Sequence, residues 1–451
     1  MAATSTGASA TLATFAAGLR WADVPQAVRH EAKRSLVNFF GTALAGCRDP
    51  AITTAASVFA DFRAAGDCTV IGRAAGTDAL HAASLNAMAG NVFDFDDTHM
   101  PTIIHPTAPV APAVFALAQM QPVSGQALLT AFALGVEIEC RLGNAVSPWH
   151  YQRGWHITST CGVFGAAAAC GLLLGLDEER MNWALGHASA QSSGLVETLG
   201  SMAKSIGVGN SASNGLLSAL LAQRGFEGPA LPLEGQRGFL RVMGDNADLA
   251  SLTQGLGERW ELSNNTYKPY PCGVVLNPVI EACLALYHED GVRLEQVEGV
   301  ELTGHPLLRE RTDRARPRSG REAQVSGQHA IAMVLSRGRA GLDEFSDASM
   351  QDATASALSS RVRFNDDPAY AIEAAQVLLH LRDGTRVSRH IAAARGSLQG
   401  PLADADLDAK LRELCRWGNS GCEAQPLIDA LWSLDSRTDA GSLMLLAAGR
   451  A

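Results

Sequence analysis

Tyr267-Lys268-Pro269-Tyr270-Pro271-Cys272-Gly273 is the stretch on which the architecture turns. Two prolines within three residues remove backbone donors and hold the residues ahead of them extended, so no regular helix runs through it. Upstream, apolar residues recur at helical spacing. Asp23 is placed to cap a helix with Pro25 in its first turn, followed by Val28, Ala32, Leu36, Phe39, Phe40 and Leu44. Further helices are predicted over residues 77–90, 125–141, 161–174, 178–190 and 211–223, with Glu137 and Arg141 as an i,i+4 pair and one short strand at 68–71. Small residues dominate these segments, which lets helices approach closely.

Downstream the period changes. A helix over 279–287 precedes strand-like runs at 296–302, 360–364, 376–381 and 385–391, the last two flanking the turn Asp383-Gly384. Helices are predicted between them at 322–336 and 347–359, and from Ala403 the helical pattern returns. The fold class read from this is mainly α. A large all-helical domain takes residues 1–265 and 396–451, and a smaller inserted α+β domain of antiparallel strands takes 266–395.

Composition narrows the function. The chain has 451 residues, 47% hydrophobic and 18% charged, too apolar for disorder and too thinly charged for a coiled coil. A net charge of −10 without a basic stripe argues against a nucleic-acid partner. The apolar run 161–176 closes on Asp177-Glu178-Glu179-Arg180 and reads as a buried core helix, so no membrane partner is expected. Nothing basic precedes the first apolar stretch, and a cytoplasmic location is expected. The nine cysteines form no CxxC pair, against a structural zinc site and in keeping with a reducing compartment. Only four of the 36 basic residues are lysines: Lys33, Lys204, Lys268 and Lys410.

Four segments could carry chemistry. The first is Asp94-Phe95-Asp96-Asp97-Thr98-His99 with His105-Pro106-Thr107. Crowded carboxylates raise one another's pKa, which suits an acid/base site assisted by imidazole. A divalent metal bound through oxygen is the minority reading, and helix capping with histidines filling polar gaps the bland one. The DxDD spacing also matches acids that protonate isoprenoid chains, but aromatics at 6% are too few for such a pocket. The second is Tyr151 to Thr160, where His156 precedes the apolar helix; local evidence alone favours a satisfied core imidazole there. The third holds Lys204 among small residues, in Gly200 to Asn210; it lacks Walker A spacing, and an exposed surface lysine is the bland reading. The fourth is Lys268, gripped by prolines between two of the five tyrosines, where a fixed ammonium could neutralise a carboxylate.

Together these segments resemble the MmgE/PrpD family. The resemblance rests on Asp94 to Thr98 with His105-Pro106, on Gly154 to Thr158, on Lys204 with Gly209 and Gly215, and on Tyr267 to Cys272, in family order. It implies a large helical domain with a smaller α+β one, usually in a homodimer, and enzymes that need neither metal nor organic cofactor. It places Asp94, His105, Tyr151, His156, Lys204 and Lys268 as catalytic residues, with Thr98, His99, Tyr267 and Cys272 as substrate contacts. Gly207 and Asn277 stand where many relatives carry polar residues, often His.

The chemistry so implied is proton abstraction beside a carboxylate of a small di- or tricarboxylate by a cofactor-independent lyase, a dehydratase or decarboxylase. One alternative is two-base epimerisation of an iminodisuccinate-like dicarboxylate, favoured by the missing imidazoles. The other is a non-catalytic carboxylate-binding protein on the same fold. Lys33 and Lys410 lie outside every motif, and arginine is expected to replace either.

Overall fold

The computed structural model describes residues 7–62, 66–352 and 358–450. In chain order the first helices are α1 (Ala8–Gly18), α2 (Gln26–Gly46), α3 (Pro50–Ala60), α4 (Ala79–Asn91), α5 (Thr107–Met120), α6 (Gly125–Val146), α7 (Trp149–Gln152), α8 (Ile157–Leu173), α9 (Glu178–Gln191) and α10 (Ala203–Gln223). Two single-turn helices, α11 (Phe239–Met243) and α12 (Leu249–Thr253), precede α13 (Asn277–His288), α14 (Pro306–Thr312), α15 (Gly320–Ala323) and α16 (Gly327–Arg337). The chain closes with α17 (Asp404–Gly418) and α18 (Ala424–Trp432).

The chain divides into two compact units. One is helical and holds residues 1–92, 96–265 and 404–451; the other holds 93–95 and 266–403. The second unit thus takes Phe93–Phe95 from the acidic segment and runs past residue 395 to Ala403.

In the helical unit, α5 and α8 are apolar on nearly every side and buried from Thr107 to Ala118 and from Ile157 to Gly171. No helix among the described residues is long and apolar enough to cross a membrane. Small residues set the spacing. A Cβ at Gly215 of α10 would lie 2.4 Å from Ala166 Cβ and 2.9 Å from Ala167 N of α8, so only glycine permits that approach. Asp78 caps α4 by accepting from Leu80 N and His81 N at 3.0 and 3.1 Å. The cap expected at Asp23 is absent. Its carboxylate pairs with Arg20, and α2 begins after Pro25. The strand expected at 68–71 is two isolated bridges, Cys68 to Thr77 and Ile71 to Ala448.

The second unit is built on a sheet of β3 (Val297–Gly304), β4 (Val362–Asp366), β5 (Ala375–Leu381) and β6 (Arg386–Ile391); two short strands, β1 (Asp97–His99) and β2 (Asn265–Tyr267), come earlier in the chain. The order is β4-β3-β5-β6. Asp383 Oδ1 accepts from Thr385 N at 2.9 Å in the β5–β6 turn. β3 and β5 pair antiparallel, as do β5 and β6, but β3 and β4 run parallel with Val300 opposite Val362, which corrects the all-antiparallel reading. Ala375, Val377, Leu379 and Leu381 alternate into a core shared with Val279, Ile280 and Cys283 of α13 and Ile331 and Leu335 of α16. The helix expected over 322–336 is split into α15 and α16, and Ser326 caps the second piece through His329 N at 3.1 Å. Of the helix expected at 347–359, residues 347–351 form a 3-10 helix and residues 353–357 lie outside the described residues.

Candidate active site

In the helical unit the acidic segment is tied down one side chain at a time. Asn91, the last residue of α4, donates through Nδ2 to Asp96 Oδ2 at 2.6 Å. Asp96 Oδ1 lies 3.2 Å from His105 Nδ1, and the same Nδ1–H donates to Asp97 O at 2.7 Å. With Nδ1 holding the proton, the basic lone pair of neutral His105 is on Nε2. His105 N donates to Thr158 Oγ1 at 3.0 Å, which ties this segment to the first turn of α8.

Asp97 is wholly buried. Its Oδ2 accepts from Asn265 Nδ2 at 2.7 Å and from Thr107 Oγ1. Burial, with the charge of Asp96, outweighs those bonds and pushes its carboxyl up to about 6. Glu139 of α6 is equally buried, and neither of its oxygens has a hydrogen-bond partner among the described residues. Burial and the charge of Asp97 push this carboxyl well above the ordinary range. Nothing in the pattern of α6 had marked Glu139.

His156 stands at the N-cap of α8 and is buried. Its Nδ1 lies 2.6 Å from Ser159 Oγ, one turn on. Ser159 in turn faces Gly207 of α10, where a Cβ would come within 2.5 Å of Ser159 Oγ. The absence of a side chain at 207 is therefore what leaves Ser159 beside His156. Lys204 lies in the first turn of α10 and is half-buried, not fully exposed. The helix starts eight residues before the expected 211, at Ala203. Its glycines fit because Gly209 packs on Ser84 and Met88 of α4, a tertiary gain that outweighs their poor propensity. Tyr151 sits on the single turn α7, half-buried, and Thr98 is buried in β1.

His99 is held on both sides of its ring. It has no exposed surface; its Nε2–H donates to Glu261 Oε2 at 3.1 Å and its Nδ1 lies 2.8 Å from Thr102 Oγ1. Both ring nitrogens are engaged within the unit. Burial works to raise the Glu261 carboxyl, but the hydrogen bond and charge of His99 outweigh it and hold it at about 2.

In the second unit, Lys268 Nζ lies 3.0 Å from Asp94 Oδ2 and donates to Asp94 O at 2.9 Å. Asp94 has φ 51, a left-handed conformation that aspartate tolerates better than most residues. Gln324 Nε2 donates to the neighbouring Phe93 O at 2.7 Å and helps hold that backbone. The lysine side chain is 3% exposed and its partner carboxylate 23%, so the ammonium is a buried, oriented charge. Tyr267 is buried. Cys272 is buried as well. It has no exposed surface, burial pushes its thiol up, and its Sγ lies 3.6 Å from Asn277 Oδ1. It packs in the core of the second unit.

Each unit therefore gathers part of the expected set. The helical unit holds His105 with Asp96 and Asp97, His156 with Ser159, and Lys204 on the helix that carries Gly207. The second unit holds Lys268 against Asp94. The contribution of Asn265 was hidden, because it meets Asp97 from 168 residues away in the chain.

Comparison with known proteins bears on this set. Residues 10–252 match the MmgE/PrpD N-terminal domain and residues 270–435 the MmgE/PrpD C-terminal domain. The chain is 28% identical over 473 residues to the cis-aconitate decarboxylase-like protein oryM of Aspergillus oryzae, spanning 98% of this chain and 97% of that protein. It is 27% identical over 469 residues to cis-aconitate decarboxylase of Aspergillus terreus, spanning 98% and 96%. With cis-aconitate decarboxylase of Homo sapiens it shares 26% over 392 residues, 82% of this chain and 79% of that protein.

Proposed function

Because this chain belongs to the MmgE/PrpD family, we propose that it is a cofactor-independent lyase that decarboxylates a small unsaturated tricarboxylate of the cis-aconitate kind. The observation that carries the reading is end-to-end similarity to cis-aconitate decarboxylases, over 98% of the chain for the fungal proteins. The side chains suit the chemistry. Loss of CO₂ leaves an electron pair delocalised onto a remaining carboxylate, and that growing charge needs fixed cations. Lys268 and Lys204 supply them, with Asp94 orienting Lys268. Protonation of the carbanion then completes the reaction. His105, whose tautomer is set by Asp97 O, and His156, oriented by Ser159, are the imidazoles for that step, with Tyr151 as a further acid. Thr98, His99, Tyr267 and Cys272 are the proposed substrate contacts. The proposal is metal-independent, and it is supported by the protein partners of the carboxylates: Asn91 and His105 for Asp96, Thr107 and Asn265 for Asp97. The proposal includes a cytoplasmic homodimer.

Gly207 favours a second reading. Glycine offers no imidazole at this position, and epimerisation of a dicarboxylate needs two opposed bases and no leaving-group acid. Incubation in D₂O with a panel of di- and tricarboxylates, followed by NMR, separates the outcomes. Release of CO₂ with one deuteron in the product supports the decarboxylase. Deuterium exchange with the carbon skeleton intact means an epimerase, loss of water a dehydratase, and no turnover of any acid a binding protein.

A further inference from the structure

Nine cysteines are scattered through the chain, and eight of them are buried. Cys422 is the exception, half-buried, and Cys415 stands beside it. The backbone brings them together. α17 ends at Gly418, and Asn419 (φ 46) and Gly421 (φ 78) both take left-handed conformations. Asparagine and glycine are the residues that do so at least cost. The chain therefore doubles back, Cys422 N donates to Ser420 Oγ at 3.3 Å, and Cys415 Sγ comes to lie 3.2 Å from Cys422 O. The two thiols are close enough to influence each other's charge. Cys422 Sγ lies 2.9 Å from Leu446 O, which holds it on the same side of the loop.

We propose that Cys415 and Cys422 form an oxidisable dithiol, a modification site that a hydroperoxide converts to an intramolecular disulfide. The attacking sulfur is Cys415. The neighbouring Cys422 holds the Cys415 thiol below its ordinary value despite burial. By contrast, burial pushes up the thiols of Cys47, Cys68, Cys140, Cys161, Cys170, Cys272 and Cys283. The Cys415 thiolate attacks one peroxide oxygen; the O–O bond breaks, and the far oxygen leaves with the thiol proton as water or an alcohol. Cys415 is then a sulfenic acid. The Cys422 sulfur attacks it, the S–O bond breaks, and the oxygen leaves as water with the Cys422 proton. Two thiols are oxidised to one disulfide, and one hydroperoxide is reduced. The site is independent of the decarboxylase reading.

The test uses the full-length protein, reduced, desalted and exposed to equimolar hydrogen peroxide. It is then alkylated, digested without reductant and read by mass spectrometry. A linkage between Cys415 and Cys422, two hydrogens lighter than the dithiol and reversed by dithiothreitol, is expected. In Cys422→Ser the sulfenic acid at Cys415 should persist and take dimedone; in Cys415→Ser, Cys422 should stay reduced. Alkylation of both residues after peroxide treatment overturns the proposal. So does a bond from Cys415 to Cys47, the next thiol near enough to feel its charge.

Discussion

At the scale of single residues, the Lys268–Asp94 pair decides most. A buried ion pair is weak evidence for stability, because desolvation cancels much of its attraction. Its retention in the proposed chemistry has a clearer reason: an ammonium already dehydrated and aimed loses little on meeting a carboxylate. Lys268→Met should lower kcat by about 100- to 1,000-fold. It should also cost stability by leaving Asp94 without its partner. The double variant Lys268→Met with Asp94→Asn separates the two effects. Its melting temperature should recover while its turnover does not; recovery of turnover would remove Lys268 from the mechanism. Lys268→Arg should not rescue, since a bulkier planar guanidinium does not fit the place of a compact ammonium.

Glu139 makes a different prediction at the same scale. Its folded pKa stands above the value of about 4.3 that it takes in the unfolded chain. The unfolded chain therefore releases this proton near pH 4 while the folded protein keeps it, so stability falls as pH rises through that window. Glu139→Gln is the neutral isostere and removes the dependence. In urea titrations it should be more stable than the wild type at neutral pH, with the gap closing towards pH 4. A variant less stable than the wild type at pH 7 would mean that Glu139 is ionised and paired.

At the scale of elements, α8 and α10 form the frame for His156, and Gly207 is where they meet around it. Gly207→Ala places a methyl against Ser159 Oγ, which can rotate away at small cost but then leaves His156 Nδ1. kcat should fall several-fold with KM and melting temperature nearly unchanged; unchanged kcat would show that Ser159 does not set the imidazole. This scale also shows what the sequence makes legible. The prolines of 267–273 announce the change of architecture because their effect is local. The start of α10 is hidden, since its glycines are poor helix formers until α4 and α8 close over them. The parallel β3–β4 pair is hidden because partner choice among strands is non-local. The contact that holds His99 is hidden in the same way, because Glu261 stands 162 residues away.

At the scale of the whole molecule, the chain leaves the helical unit after Asn265 and returns to it at Asp404. The returning segment lies against α2. Arg34 pairs with Asp404, Lys410 Nζ donates to Asn38 Oδ1 at 2.8 Å, and Lys33 Nζ donates to Trp432 O at 2.8 Å. Two lysines without a motif are thus built into this closure, and Lys410 is buried, so arginine is no free replacement there. A chain ending at Ala403 keeps every residue proposed for catalysis. It loses Leu407, Leu411, Leu414, Leu427, Ile428, Leu431 and Leu434, each at most 2% exposed, and uncovers the face they fill. At roughly 1.5–3 kcal/mol per buried aliphatic side chain, the loss is on the order of 10–20 kcal/mol. That equals or exceeds the total stability of about 5–15 kcal/mol typical of a folded protein. The truncated chain should keep helical far-UV dichroism, lose its near-UV signal and cooperative melt, and show no turnover. A sharp melt at the full-length temperature would mean that the helical unit is complete without α17 and α18, and that its core does not depend on the second pass of the chain.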